Sequence, residues 1–452
     1  MTPQNLEADI LQKITPTPEE KQKVAATIQE LTADVQRQIE KTGLTITPTL
    51  VGSTAKDTFL RTSLDIDLFL LFPTDTPRDI LAKTGLAIGR AILQDQEECF
   101  AEHPYLRGTY HGYKTEIVPA YHITSATQRL SAVDRTPLHT QYITTHLKET
   151  QKPDVLLFKQ FLRGINCYGA EAEIEGFSGY LCEILILYYK SFHDLLTAAQ
   201  HWKPGTILTL TPETEPPAFP ESCLVFIDPV DPNRNVASAL SEDTFDDFVT
   251  ACHAYLKKPS TTFFFPNPIC VWPLEKIAEE LSDKKFIAVQ IRKPDIIPEN
   301  LYPQIRKTLR SLRELCDTYG YLITEANYMV LDDAIYFVLQ TATLTLPQTE
   351  THMGPPTTLQ DHVVEFKSKW SNNPRTVTPP YQKNGRWYVD IKREYPNIQD
   401  LIKANLLSLS LGKDIADIIR QHFTILERPD LLTPHLQGFW TRLLENKMPW
   451  DW

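Results

Sequence analysis

Apolar residues recur at helical spacing across residues 19–40, where Val24, Ile28, Leu31, Val35 and Ile39 are separated by charged positions. That period, opening just after Thr17-Pro18, predicts an amphipathic helix. The pattern then changes. Residues 44–51 are rich in Thr and Ile, Gly52-Ser53 interrupts them, a polar stretch runs to Leu60, and residues 64–72 form an apolar run broken only by Asp65 and Asp67. The order predicts strand, Gly-Ser turn, short helix, strand. Helical spacing returns over 78–93, and TEIVPAY at 115–121 predicts a third short strand, so residues 1–150 read as mixed α and β. Residues 154–200 and 240–258 read as mainly helical, while Pro204, Pro212, Pro216, Pro217 and Pro220 mark a surface loop or crossover between them. Beyond the Phe- and Pro-rich boundary at 263–273, the pattern predicts a strand at 286–292, a helix at 300–319 and strands at 321–329 and 334–346. Such a β-α-β-β run is common in small α+β RNA-binding modules.

Composition sets bounds on this picture. The 452 residues, 42 % hydrophobic and 23 % charged, are enough for several ordinary globular domains. A net charge of −12 argues against a protein coated in nucleic acid, because phosphate affinity is built from clustered cations. The acidity is uneven, however: the excess lies in residues 1–260, and residues 261–452 are close to neutral. Lys284, Lys285, Arg292, Lys293, Arg306, Lys307, Arg310 and Arg313 face only Asp295 and Glu299 within their stretch, and residues 367–393 are likewise basic, with Trp370, Trp387 and Tyr388 interleaved. The seven cysteines have no C-x-x-C pair, which fits reduced structural thiols, and neither a signal peptide nor a membrane span is predicted. A cytoplasmic protein is expected.

The candidate chemistry centres on Asp65-Ile66-Asp67. Side chains at i and i+2 of a strand share a face, so the two carboxylates converge. Held together in an apolar strand, they call for a cation, and hard divalent cations such as Mg²⁺ take oxygen ligands along with substrate phosphates. Glu116 on an adjacent strand is the candidate third carboxylate of a two-ion site for nucleotidyl transfer. Gly52 lets backbone approach a phosphate, and Ser53 offers a hydroxyl at a helix start. The ordinary alternatives are a solvated strand face for the acids and an exposed strand residue for Glu116.

The GS-x11-DID pattern with its following strand resembles the nucleotidyltransferase motif of the DNA polymerase β superfamily. The wider set AEHPY, SAVDRTPLH, YGAEAEIEGFSGYLCE, DPVDPNRNVA, RKPDIIPENLYPQ, MGPP and NGRWY, spread over about residues 20–420, resembles archaeal-type (class I) CCA-adding enzymes. The resemblance implies an α+β multidomain chain: a polymerase-β-like nucleotidyltransferase palm (1–145), a mainly helical central nucleotide-reading domain (146–260), an α+β body (261–347) and a tRNA-binding tail (348–452). It further implies an enzyme that adds and repairs the 3′-terminal CCA of tRNA from CTP and ATP without a nucleic-acid template, using two Mg²⁺ ions.

Carried over by residue, the resemblance makes Asp65, Asp67 and Glu116 the catalytic metal carboxylates, with Glu standing where the superfamily usually has Asp. Gly52, Ser53 and Lys56 match the phosphate end of the nucleotide; Thr136, His139, Lys159 and Tyr168 match further nucleotide-binding positions; Arg234 matches the residue that helps read the base. Arg306, Arg310 and Arg313, at helical spacing, form with Arg292 and Lys293 a candidate track for the tRNA acceptor stem, where recognition rests on shape and backbone. No membrane partner is expected, and a homodimer is left open. Two rival readings remain: a poly(A) polymerase or oligoadenylate synthetase-like enzyme with the same carboxylates, and a non-catalytic tRNA-binding protein.

Overall fold

The computed structural model describes residues 3–100, 103–211 and 217–452. Ala101 and Glu102 of the AEHPY stretch, and positions 212–216 of the proline-rich segment, lie outside them. The chain divides into two units, residues 1–268 with 447–452, and residues 269–446.

The first unit opens with helices α1 (Pro3–Ile14) and α2 (Pro18–Thr42). α2 starts where the sequence signal places it: Thr17 and Glu20 form a reciprocal capping box, Pro18 occupies the first turn, and Gly43 closes the helix at φ 68°. Its apolar stripe is buried at Val24, Leu31, Val35 and Ile39. There follow β1 (Thr47–Val51), α3 (Gly52–Lys56), β2 (Asp65–Phe72), α4 (Arg78–Arg90), β3 (Gln94–Phe100), β4 (Pro104–Tyr110) and β5 (Tyr113–Tyr121). The sheet order is β1-β2-β5-β4-β3; β2 and β5 run parallel, and the other pairs are antiparallel.

The sheet buries its two faces differently. Ile66, Leu68, Leu70 and Phe72 of β2 join Ile117 and Tyr121 of β5 in a core with Leu31, Val35 and Ile39 of α2. Phe69 and Leu71 pack on the opposite face with Val51, Val118 and Ala120. By strand alternation Asp65, Asp67 and Glu116 belong to this second, smaller core, at the end where its apolar cover stops.

Then come α5 (Thr136–His146), α6 (Lys152–Gly164), α7 (Gly179–Tyr189), α8 (Phe192–Ala199), the short parallel pair β6 (Thr206–Thr209) and β7 (Leu224–Ile227), and α9 (Glu242–Lys257). α7 is buried from Leu181 to Leu187, and its apolar residues share one large core with α6, α8 and α9.

The second unit contains α10 (Leu274–Glu280), β8 (Lys285–Arg292), α11 (Pro298–Thr318), β9 (Ile323–Val330), β10 (Ala334–Thr341), β11 (Thr349–Pro356), α12 (Gln360–Ser371), β12 (Thr376–Lys383), β13 (Arg386–Lys392) and β14 (Thr424–Glu427). The sequence-predicted β-α-β-β run is β8-α11-β9-β10, in a sheet of order β14-β8-β10-β9, and β11, β13 and β12 form a separate sheet. The second predicted strand of the pair is shorter than its pattern, ending at Thr341 instead of 346. α11 buries Leu301, Ile305, Thr308, Leu312 and Cys316. Arg310 and Arg313 are exposed on another flank, and Arg306 is half-buried. Trp370, one of the aromatics interleaved with cations in residues 367–393, is buried with Phe366, Val389 and Ile391, whereas Lys367 lies over the Trp387 ring at 3.8 Å.

Candidate active site

β2 and β5 pair in parallel with Asp67 opposite Glu116, so three carboxylates lie on one face of two adjacent strands. Asp65 is exposed; Asp67 and Glu116 are half-buried. Loss of water around Asp67, followed by the charges of Glu116 and Asp65, pushes its carboxyl up to about 7. The cluster thus carries negative charge that its surroundings do not fully compensate. Arg107, cross-strand from Glu116 on β4, partly offsets it: its Nε donates to Glu116 Oε1 at 2.8 Å. Among the described residues no three such side chains already stand together as a metal-ligand group. The donor set nevertheless fits a hard divalent cation, since all three are carboxylates, and burial together with the charges of Glu116 and Asp65 makes Asp67 resist ionisation in spite of Lys56 and Arg107.

The Gly-Ser turn is fixed by the same carboxylate. Gly52 has φ +74°, and a Cβ there would stand 2.0 Å from Asp67 Oδ2. Glycine is therefore required both by conformation and by space. α3 runs only five residues, too short to build the dipole that the helix-start argument invoked for an anion. What the turn does supply is the Ser53 side chain on the cavity wall.

A cavity of about 890 Å³ is lined by Ser53, Asp65, Asp67 and Glu116 together with Lys159 and Tyr168. An adjoining cavity of about 310 Å³ has Gly52, Ser53, Lys56, Thr136, His139, Lys159 and Tyr168 in its wall. The structure thus gathers all but one of the predicted carboxylate and nucleotide residues around two neighbouring spaces. Arg234 lines neither, but connects to His139 through Asp228.

One feature was missed from the sequence, and a second was read only as a possible ion pair between Arg234 and the nearby acids Asp228 and Asp231. Glu183 of α7 is fully buried and carries two ammonium groups, Lys56 Nζ on Oε2 at 2.5 Å and Lys159 Nζ on Oε1 at 3.1 Å. The Thr58 hydroxyl also donates to Glu183 Oε1, at 2.6 Å. Burial alone would raise the Glu183 pKa, but the Lys159 and Lys56 charges outweigh it and hold it down at about 2. Lys56, expected as a cation free to meet phosphate, thus already has its ammonium on a carboxylate. A single acid within GYLCEILILYY was the available signal, because a charge there must be paired.

Asp228 is the second. Its Oδ2 accepts from His139 Nε2 and from Arg234, both at 2.9 Å, and its Oδ1 accepts from the Tyr180 hydroxyl at 3.2 Å and from the Val230 amide at 3.1 Å. The His139 and Tyr180 rings stack at 4.0 Å. Burial lowers the His139 pKa in spite of Asp228, so the ring favours its neutral form. Asp228 thus pairs with Arg234 and orients its guanidinium.

Comparison with known proteins bears on the whole chain. Residues 37–139 match the family "Nucleotidyltransferase domain", 153–265 match "tRNA nucleotidyltransferase, second domain", and 283–428 match "CCA-adding enzyme, C-terminal domain". A CCA-adding enzyme of Methanosarcina barkeri is 37 % identical over 431 residues, 94 % of each chain. Another, from Archaeoglobus fulgidus, is 34 % identical over 402 residues, 88 % of this chain and 89 % of that one. A solved poly(U) polymerase covers 57 % of this chain and 94 % of its own at 15 % identity and a TM-score of 0.45, a likeness too distant to bear on function. The chain belongs to the archaeal-type CCA-adding enzymes, a family of tRNA nucleotidyltransferases.

Proposed function

We propose that this chain adds and repairs the 3′-terminal CCA of tRNA from CTP and ATP, with Asp65, Asp67 and Glu116 holding two Mg²⁺ ions. The observation that carries this reading is the parallel register that sets Asp67 opposite Glu116, in a cavity wall shared with Lys159 and Tyr168. Held by Asp65, Asp67 and Glu116, Mg²⁺ would supply a lowered pKa for the attacking 3′-hydroxyl and positive charge to offset that of the leaving pyrophosphate. Ser53, Lys56 and Lys159 bind the triphosphate end, while Tyr168 flanks the sugar and base. Asp228 holds Arg234 and the neutral His139 ring so that Arg234 meets the base edge in a fixed orientation. A cytoplasmic setting suits this chemistry. Among the described residues no helix is long and apolar enough to cross a membrane.

The test uses tRNA lacking its terminal CCA. With labelled CTP alone, two residues are added and synthesis stops; CTP with ATP gives three. A run of adenylates from ATP alone would instead support a poly(A) polymerase-like enzyme.

The tRNA track is Arg292, Lys293, Arg306, Arg310 and Arg313. Arg310 and Arg313 share the exposed flank of α11, where Arg313 makes a loose ion pair with Asp317 at 3.8 Å. Changing both to Ala should weaken tRNA binding roughly tenfold at low salt and reduce the slope of log affinity against log salt by about two. Fluorescence anisotropy between 50 and 200 mM salt, on the order of the range in which such slopes are read, checks this; an unchanged slope would remove these arginines from the interface.

A further inference from the structure

We infer that Glu183 is a positioning residue for nucleotide addition: by gripping Lys56 and Lys159 on its two oxygens, it fixes two buried ammonium groups as one cationic wall at the phosphate end of the cavity. The inference rests on the nucleotide-site reading above.

Glu183 is the only acid on α7 and is fully buried. A carboxylate in that position is costly unless paired, and it is paired from two directions. Lys56 comes from α3, directly after the Gly-Ser turn, and Lys159 comes from α6. Lys159 also donates to the Thr58 carbonyl at 3.0 Å, and Thr58 closes back on Glu183 through its hydroxyl. Four groups from three parts of the chain are tied by these bonds into one net positive charge. Lys56, Lys159 and Glu183 all line the smaller cavity.

The arrangement solves a specific problem. Two ammonium groups on flexible stems repel each other, and each must be ordered before it can serve a triphosphate. A carboxylate between them cancels the repulsion and orders both stems before the nucleotide arrives. Glu183 therefore acts on nucleotide affinity through the lysines, without touching the reacting atoms.

The charged and titratable groups around the pair are few. Lys56 faces Glu183, Lys159, Asp67 of β2, His139 of α5 and Cys182 of α7; Lys159 faces Glu183, Tyr168 and Cys182. Of these, Glu183 is the one that bonds both ammonium groups. Burial already pulls the Lys56 pKa below its ordinary value in the presence of that carboxylate. Without it, Lys56 sheds its proton more readily as pH rises.

Glu183→Gln in the full chain tests this. The ratio of variant to wild-type KM for CTP and ATP should stay within about threefold at pH 6 and climb roughly tenfold further by pH 9, with kcat changing less. Calorimetric ATP titrations in buffers of different ionisation enthalpy should also show proton uptake on binding to the variant, in excess of wild type. A purely structural Glu183 gives a KM ratio that does not vary with pH and no extra proton uptake, and either result overturns the inference. If Glu183→Gln does not fold, Glu183→Asp decides. One methylene shorter, Asp reaches a single ammonium, so KM should rise several-fold while kcat is retained, and an unchanged KM overturns the inference. Failure of wild-type protein to extend tRNA would instead defeat the proposed function, a separate outcome.

Discussion

Asp67→Asn reduces nucleotide addition at least about 10³-fold, since several kcal/mol of charge stabilisation is withdrawn, and at the same time raises the thermal midpoint of the metal-free protein at pH 8. The two effects have one cause. Asp67 is held near Asp65 and Glu116 with too little water around it, and its carboxyl titrates at about 7 against an ordinary 3.8. Between those values the folded chain keeps a proton that the unfolded chain has released, so stability falls as pH rises from about 4 towards 7. The neutral amide escapes that fall. Wild type and variant should therefore have similar midpoints at pH 4 and diverge by pH 8 in the presence of a chelator. Added Mg²⁺ should raise the wild-type midpoint at pH 8 and leave the variant nearly unmoved. Calorimetry at several pH values checks both points; a midpoint difference that is the same at every pH would show that burial and the neighbouring acids do not raise the Asp67 pKa.

Gly52→Ala is expected to damage the same centre from the other side. At φ +74° an Ala backbone is strained by about 1–3 kcal/mol, and its Cβ would meet Asp67 Oδ2 at 2.0 Å. Asp67 sits on a strand paired on both edges, so its backbone has little freedom to retreat, and its carboxylate must swing away. Addition should fall by about 10²-fold or more, because small misplacements at a reacting centre cost that much, with tRNA affinity largely retained. Single-turnover assays alongside anisotropy separate the two; wild-type rates in a folded Gly52→Ala protein would refute the contact.

The legible parts of this fold were those with strong periodicity or a forced pairing. α2 carried a stripe, a cap and a terminating glycine, and β2 announced its acids by breaking an apolar run. β3 and β4 went unread for a physical reason. QDQEECF is an edge strand with little burial on either face, so it lacks the alternation that marks a half-buried strand. β4 buries Leu106, Gly108 and Tyr110, but the glycine mutes the signal. The carboxylate cluster and the nucleotide residues were legible as types at a spacing, together with a family resemblance. Their partners were not. Glu183 lies 127 positions from Lys56, and Asp228 lies 89 from His139, separations over which a single chain gives no sign of contact. Glu183 is a buried acid that implied a cation without saying which, whereas Asp228 was close enough in sequence to suggest Arg234 but not His139.

The parallel pairing of β2 with β5 also dictates when the catalytic centre can exist. Parallel neighbours cannot be joined by a tight hairpin, and here the connection runs through α4, β3 and β4 before Glu116 returns beside Asp67. The entropy of closing that excursion is spent before any contact between the two acids is made. During refolding the helices and hairpins can form locally, but the three carboxylates of the proposed cation site come together only when the non-local β2–β5 pairing is made. A nascent chain that has not yet delivered β5 has two of the carboxylates and no place to work. The proposed cation site is therefore complete only once β5 has paired with β2.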